Sequence, residues 1–470
     1  MLTKNINPQP KSYLLKFKKN LKNILKSNEF YKKKFKSVGI VSSDQINTWE
    51  DFFSLPFTTR AELIKDQQRK PPFGTNLTRP ILEYSYVIRT SGTSTGTPFY
   101  QPLTSQEFNR FAGVMTKGYQ EMGISKNDVI CFLTSTYAYP LFYEISRRIG
   151  MRMVPVDDYK SSEFLGILKA MKVTALHGFP TAIFELIEMA QDKNVDLRKL
   201  GVKKIFTIGE AGGSHPPTKA FFEKSWNAKV FDHIGALESG TYAVGCAKTN
   251  AHHVLENQFI SEVFEPSSNR PATRGELVLT SLWRQDYPLI RYRTGDIIKL
   301  DTSPCPCGKA GPRLIGGILG RVTGQIKIRS YFMFPEDIER SIRQHPEVKE
   351  YQIICKRKKG IDSVDVYLEL SLNTDWDGFS LLAKQLQETL RFQPNIYPVL
   401  PKTLPRFGIR KAKRFHDYRQ TPRKPPFNIS SNRRLIAKLL VYAFIWNNRR
   451  KNIQRYVSFV SKILKKGLFA

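Results

Sequence analysis

Between Ile124 and Ile208 short apolar runs alternate with longer stretches in which apolar residues return every three or four positions. "DVICFLTS", "RMVPVD", "VTALHGF" and "KKIFTIG" read as strands, and "PLFYEISRRIG", "SEFLGILKAMK" and "PTAIFELIEMAQD" as the helices between them. Strands separated by single helices of this length predict βαβ units and a parallel sheet. Residues 11 to 40 read as helical and lysine-rich. Beyond Asn250 the pattern turns to strands and turns, as in "GELVLTSLW" and "PLIRYRTGDIIKL". From Arg321 a smaller α+β unit follows: strand "QIKIRS", helix "FPEDIERSIRQ", strands "VKEYQIICKR" and "SVDVYLELSL", helix "FSLLAKQLQETLRF". The predicted class is α/β: a large N-terminal domain built on parallel βαβ sheets, a smaller α+β C-terminal domain and a basic helical tail.

Length and composition agree with that division. A chain of 470 residues exceeds one ordinary core, and 41% hydrophobic content suits packed domains. The formal charge of +33 is concentrated at the two ends. Residues 1–40 hold 11 lysines against one glutamate, and residues 401–470 hold 19 Lys/Arg against one aspartate. The stretch between is close to ordinary. Five cysteines form no disulfide framework and fit a reducing compartment. The N-terminus has no secretory pattern, and Leu435–Trp446, interrupted by Lys438, falls short of the roughly 20 residues that span a bilayer.

"RTSGTSTGTPF" sets Ser91, Thr93, Ser94, Thr95 and Thr97 around Gly92 and Gly96. Hydroxyls and backbone N–H groups on so permissive a loop suit a phosphate. The loop is not a Walker A motif, because its glycines enclose three residues and no lysine follows. It is not a dinucleotide fingerprint either. Further on, "HIGALESG" places Glu238 where a carboxylate can ligate a hard cation, and "YRTGDII" places Asp296 after a strand and a glycine.

These stretches, followed by "GRVTGQIKIRSYFMFPEDIE" and "LPRFGIRKAKR", occur in the order of the adenylate-forming enzymes. More narrowly, the chain resembles phenylacetate-CoA ligases, from "NEFYKKKFKSVGI" and "LPFTTRAELIKD" to about residue 420. The resemblance implies an AMP-binding domain over 1–320, a small mobile domain over 321–420 and a tail over 421–470. It also implies that Ser91–Thr97 wrap the triphosphate of ATP, that Gly209, Glu210 and Ala211 in "IGEAGG" flank the adenine, and that Glu238 holds Mg²⁺. Asp296 would accept hydrogen bonds from the ribose, and Arg321 would support the nucleotide where the hinge begins. Lys411 would neutralise the α-phosphate during attack. Because the chain has one extra residue before "KAKR", Lys413 is eligible too. Two departures from the family pattern are Thr323 and Gly324, where acidic hinge residues are common, and Ile234, where an aromatic is expected.

"CAKTNAHH" and "CPCG" bring Cys246, His253, Cys305 and Cys307 together as a set of three sulfurs and one imidazole, a complete tetrahedral donor set for structural Zn²⁺. Spacing does not separate His252 from His253. In the tail, "KNIQRYVSFVSKILKKG" gathers apolar residues on one helical face with lysines elsewhere, a pattern suited to an anionic membrane surface.

The leading function is therefore ATP-dependent adenylation of a small carboxylic acid followed by acyl transfer to a thiol, that of coenzyme A. The alternative acceptor is an amine or hydroxyl in surface-polysaccharide biosynthesis. A nucleic-acid binder is the reading from another class. It is disfavoured because the charge is terminal and no DNA or RNA module is visible. The expected location is cytoplasmic, peripheral on the inner face of the membrane.

Overall fold

The computed structural model describes residues 10–89, 98–133, 139–156, 158–161, 163–210, 212–236, 238–255, 257–329, 331–358, 360–371, 376–399, 402–407, 412–420 and 427. Ser91–Thr97, Ala211, Lys411 and the tail other than residue 427 lie outside them. The chain forms two compact units, Met1–Gln325 with Gly408–Lys411 and Ile326–Phe407 with Ala412–Ala470.

The first unit begins with helices α1 (Lys11–Ser27), α2 (Glu29–Lys36), α3 (Trp49–Ser54) and α4 (Arg60–Arg69). The basic stretch predicted over 11–40 is thus two helices broken at Asn28, whose side chain accepts from Tyr31 N at 2.9 Å and starts the second. A hairpin, β1 (Tyr84–Arg89) with β2 (Tyr100–Thr104), leads into helix α5 (Ser105–Glu121). Then come β3 (Val129–Leu133), α6 (Tyr139–Ile149), β4 (Arg152–Val154), α7 (Phe164–Ala170), β5 (Ala175–Gly178), α8 (Pro180–Asp192) and β6 (Lys204–Ile208). Each element falls within the stretch predicted from periodicity or within a residue of it. Every residue of β3 is buried, as expected of a parallel strand covered on both faces. Helix α8 opens on Pro180, whose missing N–H costs nothing in a first turn.

After α9 (Pro216–Trp226) the sheet continues through β7 (Lys229–Ala236), β8 (Gly240–Gly245), β9 (Ala251–Val254), β10 (Phe259–Phe264), β11 (Arg274–Ser281), β12 (Tyr292–Asp301), β13 (Arg313–Ile315) and β14 (Gly320–Arg321). The strand order is β10-β11-β12-β13-β9-β8-β7-β6-β5-β3-β4, with β14 pairing β12. From β4 to β7 the ladders are parallel and beyond β7 antiparallel. One face carries a core with α5 and α6, the other a core with α7, α8 and α9. The N-terminal helices bury Phe17, Tyr31 and Phe52 against Ile260, Leu282 and Ile290.

In the second unit a short hairpin, β15 (Ile326–Ile328) with β16 (Tyr331–Met333), precedes α10 (Pro335–Ile342). A sheet ordered β19-β18-β17-β20 follows, made of β17 (Val348–Lys358), β18 (Ile361–Leu370), β19 (Asn395–Val399) and β20 (Phe415–Asp417). It shares a core with α10 and with α11 (Trp376–Leu390). Among the described residues no helix is long and apolar enough to cross a membrane.

Candidate functional site

The parallel strands of the first unit end together, and ligands of such sheets bind beyond their carboxyl ends. Gly209 and Glu210 follow β6, and Glu238 follows β7. Gly209 has φ +81, a conformation glycine adopts without strain. Glu210 is tied to the first turn of α8, where its Oε2 accepts from Thr181 N at 3.1 Å and from Thr181 Oγ1 at 2.6 Å. Nearby, Asp232 accepts from Thr207 Oγ1 at 2.7 Å, and a Cβ on Gly213 would collide with that hydroxyl.

Glu238 is buried, and its carboxylate is paired with Arg60. A capping box sets Arg60 in place: Thr59 N donates to Glu62 Oε2 at 2.7 Å, and Glu62 N donates to Thr59 Oγ1 at 3.2 Å, fixing the first turn of α4. The carbonyl of Glu238 accepts from Arg284, which lies 3.6 Å from Glu107 with both side chains fully buried. Burial raises the Glu107 carboxyl, and Arg284 works against that rise. The hydroxyl-rich loop re-enters the described structure at Pro98, and Phe99 lies beneath the Arg60 guanidinium, 5.6 Å from ring centre to carbon.

Asp296 does not follow a strand but stands within one. It lies inside β12, opposite Arg321 on β14, and is 1% exposed. Tyr242 Oη donates to its Oδ2 at 2.9 Å and Arg321 Nη1 to its Oδ1 at 2.5 Å. Asp296 in turn raises the Arg321 pKa, while burial and then Asp296 push the Tyr242 phenol well up. Tyr292, fully buried, lies within electrostatic reach of Arg60, Arg321 and Asp296. Burial lowers the Arg60 pKa, and Arg321 adds like-charge repulsion to that effect. The Asp296–Arg321 pair and the arginine of the Glu238–Arg60 pair thus both act on the Tyr292 phenol, whose pKa burial raises. Of these, Arg60, Tyr242, Arg284 and Tyr292 are not singled out by the sequence, although Tyr292 opens the "YRTGD" stretch.

A second cluster gathers Cys246, His253, Cys305 and Cys307, whose ligand atoms all lie within 4.8 Å of one another. Cys246 Sγ is 3.7 Å from Cys305 Sγ, and Cys307 Sγ is 3.2 Å from His253 Nε2. A tetrahedral zinc with Zn–S of about 2.3 Å sets its sulfurs about 3.8 Å apart. Burial opposes ionisation of Cys246, but hydrogen bonds from Thr249 and from the Lys248 backbone, with His253 and Cys305, bring its thiol down to about 6. His252, the other eligible imidazole, faces away, its Nε2 lying 3.2 Å from Asp232 Oδ2.

In the second unit Arg406 and Arg414, which flank Lys411 in the sequence, are each pinned by a carboxylate. Arg406 Nη2 donates to Glu369 Oε1 at 2.6 Å, and Arg414 Nε to Glu350 Oε1 at 2.6 Å. Glu350 and Glu369 are register partners on β17 and β18. Lys413, described and exposed, lies just inside Arg414.

Residues 331–419 match the AMP-binding enzyme C-terminal domain. A phenylacetate-coenzyme A ligase of Thermus thermophilus is 26% identical over 343 residues, 68% of this chain and 73% of that protein. The Pseudomonas putida phenylacetate-coenzyme A ligase is 26% identical over 388 residues, 79% and 84% of the two chains. Among solved structures, a 2-hydroxyisobutyryl-CoA ligase in the postadenylation state in complex with R3-HIB-AMP shares the fold at a TM-score of 0.80 and 23% identity, over 93% of this chain and 94% of that one.

Proposed function

We propose, from the premise that this chain belongs to the adenylate-forming superfamily and stands with its phenylacetate-CoA ligase-like members, that it is an ATP-dependent, AMP-forming acid–thiol ligase using coenzyme A. The observation that supports this most is the holding of both motif carboxylates, Asp296 by Tyr242 and Arg321 and Glu238, just past β7, by Arg60. A carboxylate oxygen attacks the α-phosphorus of ATP and displaces pyrophosphate. The thiol sulfur then attacks the acyl carbon, AMP leaves, and the thiol proton passes to solvent. Catalysis of such a reaction is largely positioning and charge stabilisation.

In this assignment Ser91–Thr97 receive the triphosphate, and Gly209, Glu210 and Ala211 border the adenine. Asp296 is an acceptor-only side chain already aimed by Tyr242 and Arg321, which suits it to the ribose hydroxyls. Glu238 would hold Mg²⁺, which when bound supplies positive charge to the phosphates; Arg60 provides that charge to the carboxylate meanwhile. Lys411, between its two pinned arginines, is assigned to the α-phosphate, and the segment from Arg321 to Gln325 to the hinge. The Cys246, His253, Cys305 and Cys307 set is assigned to structural Zn²⁺, and the tail over 421–470 to an anionic membrane surface.

Exchange of labelled pyrophosphate into ATP, measured over a panel of carboxylic acids, tests the ligase reading. At least one acid should support exchange, and Asp296→Ala and Glu238→Ala should each suppress it at least about tenfold. Failure of every acid in the panel removes the proposal. Lys411→Ala should impair exchange while ATP still binds; full exchange in that variant moves the role to Lys413.

A further inference from the structure

A cavity of about 340 Å³ opens in the first unit beside the C-terminal half of α5, and none of the residues assigned to ATP, Mg²⁺ or the acyl step lines it. Its floor is aliphatic: Val114 of α5, Val254 at the end of β9 and Leu255 just beyond, each otherwise buried. Its rim is polar, with Lys117 of α5, Lys309 two residues past Cys307, and Asn257. An apolar hollow with a few placed polar groups is the usual make-up of a small-molecule site, and the volume falls in the usual range of about 300–1,000 Å³. The hydroxyl-rich loop assigned to the triphosphate precedes the first residue of α5, Ser105. Lys117 stands about 18 Å further along the helix at 1.5 Å per residue, so the cavity is a separate place.

The charges around the rim do not balance. Lys309 Nζ lies 2.7 Å from Glu121 Oε2 and is neutralised there. Lys16 on α1 donates to the carbonyl of Asn257 at 2.8 Å, which fixes its ammonium beside the cavity. Burial and then repulsion from Lys117 lower the Lys16 pKa, so the two ammonium groups act on each other. Among the described residues no carboxylate pairs with Lys16 or Lys117. Two like charges thus overlook an aliphatic hollow, an arrangement that an anion of matching charge relieves. A carboxylate brings one negative charge. A phosphate monoester brings about 1.5 to 2 near pH 7, with three strong acceptor oxygens.

We infer that this cavity is a second ligand site, and that its ligand is a phosphate monoester of an aliphatic alcohol. The phosphate meets Lys16 and Lys117, and the hydrocarbon lies on Val114, Val254 and Leu255. Two sources carry that chemistry, a soluble alkyl phosphate and the headgroup of a phosphatidate lipid.

Calorimetric titration of the full chain with octyl phosphate tests the inference. Binding should saturate at one equivalent and be at least about tenfold tighter than that of inorganic phosphate, octanoate or octanol, since each of these lacks one half of the match. The double variant Lys16→Ala/Lys117→Ala should weaken it at least about tenfold and leave pyrophosphate exchange and the thermal midpoint unchanged. Monomeric dihexanoyl phosphatidate bound as tightly as octyl phosphate assigns the site to a lipid headgroup; octyl phosphate bound alone assigns it to a soluble ester. Octyl phosphate bound no more tightly than inorganic phosphate or octanoate, or equally well by the double variant, would overturn the inference. So would displacement of octyl phosphate by ATP or coenzyme A, which would put the probe in the ligase site. The ligase reading is judged by exchange and stands or falls apart from these results.

Discussion

Asp296 has both carboxylate oxygens engaged by side chains from other strands, Tyr242 on β8 and Arg321 on β14. A carboxylate so held presents its remaining lone pairs in a fixed direction, which is what recognition of a ribose requires. Tyr242→Phe removes one of these bonds and should raise the KM for ATP about three- to tenfold with little change in kcat, as read from steady-state kinetics at saturating acid. Asp362 offers a second residue-level expectation. A hydrogen bond from Arg357 outweighs burial and, with Arg329 and Arg419, holds its carboxyl down to about 2 from 3.8. A depressed carboxyl stabilises the folded state above its unfolded pKa, so this contribution should be lost as pH falls from about 4 to about 2. Asp362→Asn should lower the thermal midpoint at neutral pH and flatten its fall across that acid window. Motif-borne charges such as Glu238 and Asp296 were legible in the sequence because each stands in a recognisable local setting. Arg60 was not, because nothing near "TTRAE" signals a carboxylate that arrives from beyond β7.

Elements with local periodicity were the most legible, and the run from β3 to β6 follows the alternation of strand and helix patterns closely. The short strands β13, β14, β19 and β20 were not, because two to five residues carry no period and their pairing is decided by partners far along the chain. Strand β9 illustrates the limit. Successive side chains on a strand point to opposite faces, so His252 and His253 cannot share a role, yet the sequence does not say which face is which. Pairing with β8 and β13 turns His253 toward the three thiols and His252 toward Asp232. If the cluster holds zinc, Cys305→Ser should lose most of the metal by elemental analysis and melt several degrees lower. Zinc retained at one equivalent would refute the site.

At the scale of the whole molecule, the excess charge is terminal while every residue assigned to the ligase chemistry precedes residue 421. The two should therefore be separable. Removal of residues 421–470 should abolish sedimentation with anionic vesicles and leave pyrophosphate exchange intact; vesicle binding that survives the truncation would move the membrane role to the lysines of α1 and α2. The pairing of Glu350 with Glu369 has one more consequence. Two like charges on facing rungs would push the hairpin apart were each not matched by its own arginine, and those arginines, 406 and 414, bracket the lysine-bearing stretch. Both feet of that stretch are thus bolted to adjacent planks of one sheet. Loss of either arginine would leave a buried glutamate facing its like across the ladder, so the two anchors of this hairpin hold or fail as one.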